Sequence, residues 1–141
     1  ALAKHYDLIV VDYLQKIRGD RSRRNMSDFE RVTQISSDLQ ELGQQTGIHV
    51  LALSQLSRPE KKNGKTPAPT MASLRQSGQI EQDADVIMFI YRDDYYNPNT
   101  EEKNIAEIII AKNRHGEPGT VKTQWMPQYT TFSDLEWKHE G

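Results

Sequence analysis

The stretch Leu8-Ile9-Val10-Val11-Asp12-Tyr13-Leu14-Gln15 decides how this chain is read. Four aliphatic residues run without a polar break, and an acid follows at once. A continuous apolar run of that length predicts a strand buried on both faces, as in a parallel sheet. Asp12 then falls at the carboxyl end of the strand, the edge along which open α/β sheets bind ligands. A carboxylate there, beside a nucleotide, is well placed to hold a hydrated Mg²⁺. Taken alone, the stretch supports a plain buried strand equally well.

Working outward, Lys16 to Arg24 holds five basic residues in nine, with Gly19 breaking regular structure. It reads as a solvated loop, with contact to a phosphate backbone as the functional alternative. Ser27-Asp28-Phe29-Glu30 matches a capping box. Phe29, Val32, Ile35, Leu39 and Leu42 then recur at helical spacing, and Gly47 suits a C-terminal stop. This predicts an amphipathic helix from Asp28 to about Gln45, with a solvated Ser, Gln and Asp face. Ile48–Leu53 is the next predicted strand. A strand, a long helix and a strand make a βαβ crossover with parallel strands. Ser54 and Gln55 therefore fall at the same sheet edge as Asp12. A neutral amide at that edge can donate to a phosphate oxygen and accept from a water; the alternative is a cap on the following turn.

Residues 57–70 form a basic, proline-bearing loop that reads as mobile. Its Gly64-Lys65-Thr66 imitates a phosphate-binding loop. That motif needs a glycine at position 59, which is Pro59, and a strand and a helix on either side. Met71–Gly78 suggests a short helical turn, Asp85–Ile90 a third strand, Tyr91–Glu102 a loop and Ile105–Ala111 a fourth strand. Tyr95 and Tyr96 in that loop suit base stacking or, more commonly, packing against protein. After a turn at Gly116-Glu117-Pro118-Gly119, Thr120–Trp125 alternates as an antiparallel strand does, with Gln128–Phe132 as its partner. The predicted architecture is α/β, with a mainly parallel sheet ending in an antiparallel hairpin.

Composition sets bounds on this. The 141 residues suffice for one domain with a sizeable core. Cysteine is absent, so there are no disulfides and no thiolate metal site. No apolar run approaches the ~20 residues that a membrane span needs, and no secretory leader is visible. The net charge of -2 means that nucleic-acid binding must rest on local basic patches. The four histidines show no paired ligand spacing, so no zinc site is expected.

Four stretches occur together in one order: Val10–Gln15; Ala52-Leu53-Ser54-Gln55-Leu56-Ser57-Arg58; Leu74-Arg75-Gln76-Ser77-Gly78-Gln79-Ile80-Glu81-Gln82-Asp83-Ala84-Asp85; and Ile108-Ile109-Ile110-Ala111-Lys112-Asn113-Arg114. In this the chain resembles the C-terminal motor domain of DnaB-type replicative helicases, a RecA-like P-loop NTPase core. The likeness spans nearly the whole chain. It implies a part of a hexameric, ATP-dependent DNA helicase that translocates on single-stranded DNA and unwinds duplex DNA during replication. Primase and a helicase loader are the implied partners, and the cytoplasm of a bacterium or phage-infected cell the implied location.

The resemblance also implies residue roles. Asp12 matches the Walker B acid that orders Mg²⁺. Gln55 matches the glutamine that senses the γ-phosphate of ATP and relays its state towards the DNA loops. Lys112 and Arg114 match basic fingers that reach a neighbouring subunit's ATP site, where cations stabilise charge developing on the transferred phosphoryl group. Arg75, Gln76 and Gly78 match the central DNA-binding loop. The family often has Glu where this chain has Gln76, which leaves that side chain's role open. Arg18 and Arg21 are second candidates for DNA contact. In this family the phosphate-binding loop and the water-activating carboxylate precede the Walker B strand, so the expectation is that 1–141 is the later part of a RecA-like ATPase domain. A RecA-like recombinase or clock-type ATPase is the alternative within the fold, disfavoured by Leu74–Asp85. A RecA-like binding module without ATP chemistry is the alternative of another class.

Overall fold

Strand β1 (Leu8–Val11) pairs in parallel with β2 (His49–Ala52), Val11 standing opposite Ala52. The nineteen-residue helix α1 (Asp28–Thr46) connects them. The structure is a computed structural model and describes residues 5–18, 26–57, 59, 61, 64–74 and 78–135. They fall into two units, Ala1–Ser57 with Leu74–Ala84, and Arg58–Ser73 with Asp85–Gly141.

In the first unit, α1 starts where the capping box predicts. The Ser27 hydroxyl accepts from Glu30 N, and the Glu30 carboxylate accepts from Ser27 N. Those Ser27 donors hold the Glu30 carboxyl below the usual carboxylate range. Gly47 ends the helix in the left-handed region, φ 70°, which a side chain would resist. Val32 and Ile35 are buried, with Leu14 and Leu74 completing this small core, while Phe29 and Leu42 at the ends of the predicted apolar face are exposed.

The polar face of α1 departs from expectation, because part of it is not solvated. Asp83 closes the short helix α2 (Gly78–Asp83), and its carboxylate accepts from Ser36 Oγ at 2.8 Å, Ser37 Oγ at 3.2 Å and Gln79 Nε2 at 2.8 Å. Gln40 Nε2 donates to the Asp83 carbonyl at 3.0 Å. Polar side chains thus fasten α2 to α1, and Ser36 is buried as a result.

The second unit corrects the expected architecture. Strands β3 (Val86–Tyr91), β4 (Ile105–Asn113), β5 (Gly119–Met126) and β6 (Thr131–Ser133) form an antiparallel sheet in sequence order. Parallel pairing is confined to β1 and β2 among the described residues, so the sheet is not mainly parallel. The reason lies in the connections. A parallel return needs a crossover element long enough to cover the sheet, and α1 supplies one. Between β3 and β4 the only helix is the single turn α3 (Asp93–Tyr96), and the chain doubles back.

That return is tied by side chains. Asp93 accepts from Tyr91 Oη at 2.8 Å and also from Asn97 Nδ2. Hydrogen bonds from Thr100, Tyr91 and Asn97 hold its carboxyl below the usual range. Tyr91 Oη also lies 2.8 Å from the Thr66 carbonyl oxygen, and burial with the adjacent Asp93 pushes the phenol well above its ordinary value. Arg92 pairs with Asp94 and stacks over Trp125, 5.0 Å from the ring centroid. Within the segment expected to be mobile, one residue is anchored: Thr66 is 5% exposed. Among the described residues, no strand leads directly into Gly64-Lys65-Thr66 and no helix begins directly after it, which fits its rejection as a phosphate loop.

Burial on both faces does not hold for β1. Leu8 and Val10 are exposed, as are Leu51 and Leu53 in and after β2. Strand β3 alternates, with Ile87, Phe89 and Tyr91 buried and Val86, Met88 and Ile90 exposed.

Two outcomes are expected. Asp83→Ala removes a charged acceptor from three donors, including the buried Ser36, and should destabilise the first unit by about 2 kcal/mol; a lower urea midpoint at unchanged m-value reads this out. Asp93 has its folded pKa depressed, so its contribution is present above the ordinary carboxylate range and is lost as pH falls through the folded value. Asp93→Asn should therefore cost stability near neutral pH, and the gap to the parent should narrow as pH falls below the ordinary carboxylate value. Urea midpoints at neutral and acid pH measure it.

Candidate active site

The parallel ladder runs on past both strands. Leu53 N donates to the Val11 carbonyl at 2.9 Å, and Leu14 N donates to the Leu53 carbonyl at 2.9 Å. Asp12 follows β1 directly and Gln55 lies three residues beyond β2, so both leave the same edge of the pair. Both are exposed. The peptide between Asp12 and Tyr13 is cis.

One turn of 3-10 helix follows, Leu14–Lys16, pinned by the buried Leu14. The Gln15 side chain reaches from it to the chain after β2. Its Oε1 accepts from Gln55 N at 3.1 Å, and its Nε2 donates to Ser54 Oγ at 3.1 Å. Arg31 of α1 reaches the same turn, its Nη1 donating to the carbonyls of Gln15 at 3.0 Å and Ile17 at 2.7 Å. Arg18, just beyond, is exposed. Arg21, its companion candidate, lies outside the described residues.

Among the candidates for DNA contact, Gly78 is the first residue of α2, fastened through Asp83 as described above. Arg75 and Gln76 lie outside the described residues.

Lys112 and Arg114 belong to the second unit. The β3–β4 register slips between Ile87 and Met88, leaving Ala111 as an extra residue just before Lys112. Bulges of this kind re-aim side chains near functional sites. Because β4 runs antiparallel to β3, its end lies at the start of β3. Arg114 N donates to the Asp85 carbonyl at 2.9 Å, and the Arg114 guanidinium pairs with the Asp85 carboxylate at 2.6 Å. Both side chains are substantially exposed, at 43% and 64%, so the pair is worth at most about 1 kcal/mol.

The chemistry available at the first unit's edge is a carboxylate for a cation, a neutral amide for a phosphate oxygen or a water, and a turn that holds the two together. Three residues that shape these positions went unassigned in the sequence reading: Gln15, Asp83 and Asp85. Gln15 stood inside a quoted motif without a role. Its partners are 39 and 40 residues away, a separation that no local periodicity reports.

The model of the family described as DnaB-like helicase C terminal domain matches residues 1–134. The replicative DNA helicase DnaB of Geobacillus stearothermophilus is 49% identical over 131 residues, and the replicative DNA helicase DnaC of Bacillus subtilis is 47% identical over the same length. Each match takes in 92% of this chain and 28% of the relative, so the chain spans under a third of the length of these relatives. Among solved structures, one described as an ATPase domain superposes with a TM-score of 0.80 at 43% identity, over 92% of this chain and 44% of that one. A DnaB-like replicative helicase, described with its interactions with primase, superposes with a TM-score of 0.81 at 42% identity, over 92% of this chain and 31% of that one. A family match over nearly the full length, carried by a chain whose strand ends present Asp12 and Gln55 together, leads to one conclusion: this chain belongs to the DnaB-like helicase C-terminal domain family.

Proposed function

We propose that this chain works as part of a hexameric, ATP-dependent replicative DNA helicase, which hydrolyses ATP between subunits and unwinds duplex DNA by translocating on single-stranded DNA. The observation that carries the reading is the shared strand edge of Asp12 and Gln55 in a chain of this family. The two units are then parts of a RecA-like P-loop NTPase core, in a longer protein whose other segments supply the phosphate-binding loop and the water-activating carboxylate. The much greater length of the relatives supports this.

The donor set fits Mg²⁺. This ion is usually held by one or two carboxylates together with phosphate oxygens and waters, rather than by a protein cage. Asp12 offers one exposed carboxylate, and no group of three metal-ligating His, Cys, Asp or Glu occurs among the described residues. Mg²⁺, when bound, would neutralise charge on the phosphate oxygens of ATP. Asp12 would hold the hydrated ion, and the Gln55 side-chain N–H would donate to a terminal phosphate oxygen or its carbonyl accept from a water.

Lys112 and Arg114 serve a neighbouring subunit's ATP. A guanidinium stays charged and presents a planar fork to phosphate oxygens. The weak, exposed pair with Asp85 holds that fork ready and is readily exchanged for a phosphate. Arg75, Gln76 and Gly78 form the DNA loop, with Arg18 and Arg21 adding phosphate contacts. Single-stranded DNA, further copies of the same subunit, primase and a loader are the partners, at a replication fork in the cytoplasm of a bacterium or phage-infected cell. No helix among the described residues is long and apolar enough to cross a membrane.

In the complete protein, Asp12→Asn should lower Mg²⁺-dependent ATP hydrolysis sharply and leave hexamer assembly intact. Turnover and sizing of the same preparation test this; a mutant that assembles and hydrolyses normally would sink the Walker B assignment. Arg114→Ala should lower turnover by roughly 10³-fold or more. Mixing Arg114→Ala subunits with subunits that lack a working phosphate loop should give activity above that of either mutant, because some interfaces then regain an intact site. No recovery in verified mixed rings would argue against action in trans.

A further inference from the structure

Gln15 has a larger part in this site than its place in a turn suggests. A primary amide carries an NH2 donor group and a carbonyl acceptor side by side, matching the N–H and C=O that one extended residue presents to one edge. Gln15 uses both towards the peptide groups of Gln55: Oε1 accepts from Gln55 N at 3.1 Å, and Nε2 lies 3.5 Å from the Gln55 carbonyl oxygen. The backbone ladder between the two chains ends one step earlier, at Leu14 N and the Leu53 carbonyl. The side chain of Gln15 therefore adds a further rung where the main chains no longer pair. The same Nε2 also donates to Ser54 Oγ at 3.1 Å.

This rung is held from behind. Arg31 donates to the carbonyls of Gln15 and Ile17, and its other terminal nitrogen pairs with Asp28 at 2.7 Å. The backbone of Gln15 is thus tied to the first turns of α1 while its side chain grips Gln55. Asp12 lies three residues before Gln15 in the same turn region, and Gln55 is the residue gripped. Catalytic geometry is sensitive to such supports, since a displacement of about 1 Å can cost on the order of 10²-fold in rate.

We infer that Gln15 is a positioning residue that sets the place of Gln55 relative to Asp12. The inference rests on the reading of Gln55 as a phosphate-sensing glutamine. In this reading Gln15 acts through the Gln55 main chain.

The test uses the complete protein that carries this segment. Gln15→Leu keeps the bulk and removes both polar groups. Hydrogen exchange at the Gln55 amide should accelerate about tenfold or more, because its acceptor is lost while the strands remain. DNA-stimulated kcat for ATP should fall roughly tenfold with KM nearly unchanged, which is the signature of a displaced group rather than of lost ground-state binding. Gln15→Glu keeps an acceptor for Gln55 N, and the Ser54 hydroxyl can rotate to donate to it, so protection of the Gln55 amide should return. In a Gln55→Ala background, Gln15→Leu should add no further loss beyond about twofold, because residues acting as one unit are not additive.

Unchanged exchange at Gln55 would overturn the proposal, and so would losses that multiply in the double mutant. If Gln55→Ala slows stimulated turnover and Gln15→Leu does not, the sensing role of Gln55 stands and the proposal alone fails. If Gln55→Ala leaves stimulated turnover intact, the sensing role fails and takes the proposal with it, whatever the exchange shows.

Discussion

The parallel ladder between β1 and β2 is the constraint on which the first unit depends. Parallel strands cannot be joined by a tight turn, so a long connection must lie between them. That requirement brings α1 against the pair, and α1 then carries the groups that organise everything else in the unit. Arg31 at its start fixes the turn after Asp12, and Ser36, Ser37 and Gln40 near its middle hold α2 through Asp83. The same ladder brings the ends of both strands to one edge. Asp12 and Gln55 leave the same edge because their strands run parallel and in register.

The second unit follows another logic. Its four strands meander, and local returns suffice. The β3–β4 return is secured by a carboxylate shared among Tyr91, Asn97 and Thr100 and by the pairing of Arg92 with Asp94. The end of β4 meets the start of β3, so Arg114 finds Asp85. The two devices differ in strength for a physical reason. Tyr91 is almost fully buried, whereas Arg114 and Asp85 are largely solvated and screened.

Apolar residues that remain exposed show why pattern and burial are separate questions. Leu8, Val10, Leu51 and Leu53 are the kind of residues that strands bury, and Val86, Met88 and Ile90 repeat the case in β3. An apolar run reports that a strand suits an interior. It does not report whether a layer lies on each face, which depends on what else packs there.

The sequence by itself determined the helix α1 with its capping box and glycine stop, the six strands seen among the described residues to within a few positions, the shared edge of Asp12 and Gln55, and the family. These are local or periodic signals: a cap and its Glu lie three residues apart, and an apolar face repeats every three or four. Tertiary structure alone decided that β3 and β4 run antiparallel, that Thr66 is anchored to Tyr91, that the polar face of α1 binds Asp83, and that Gln15 grips Gln55. Each of these joins groups that local spacing cannot relate, Ser36 to Asp83 across 47 residues and Gln15 to Gln55 across 40. Strand direction likewise depends on how a connection folds back. The return between β3 and β4 was legible as a loop by its Asp and Asn residues; that these side chains close it into a reversal became visible only once their partners were in place.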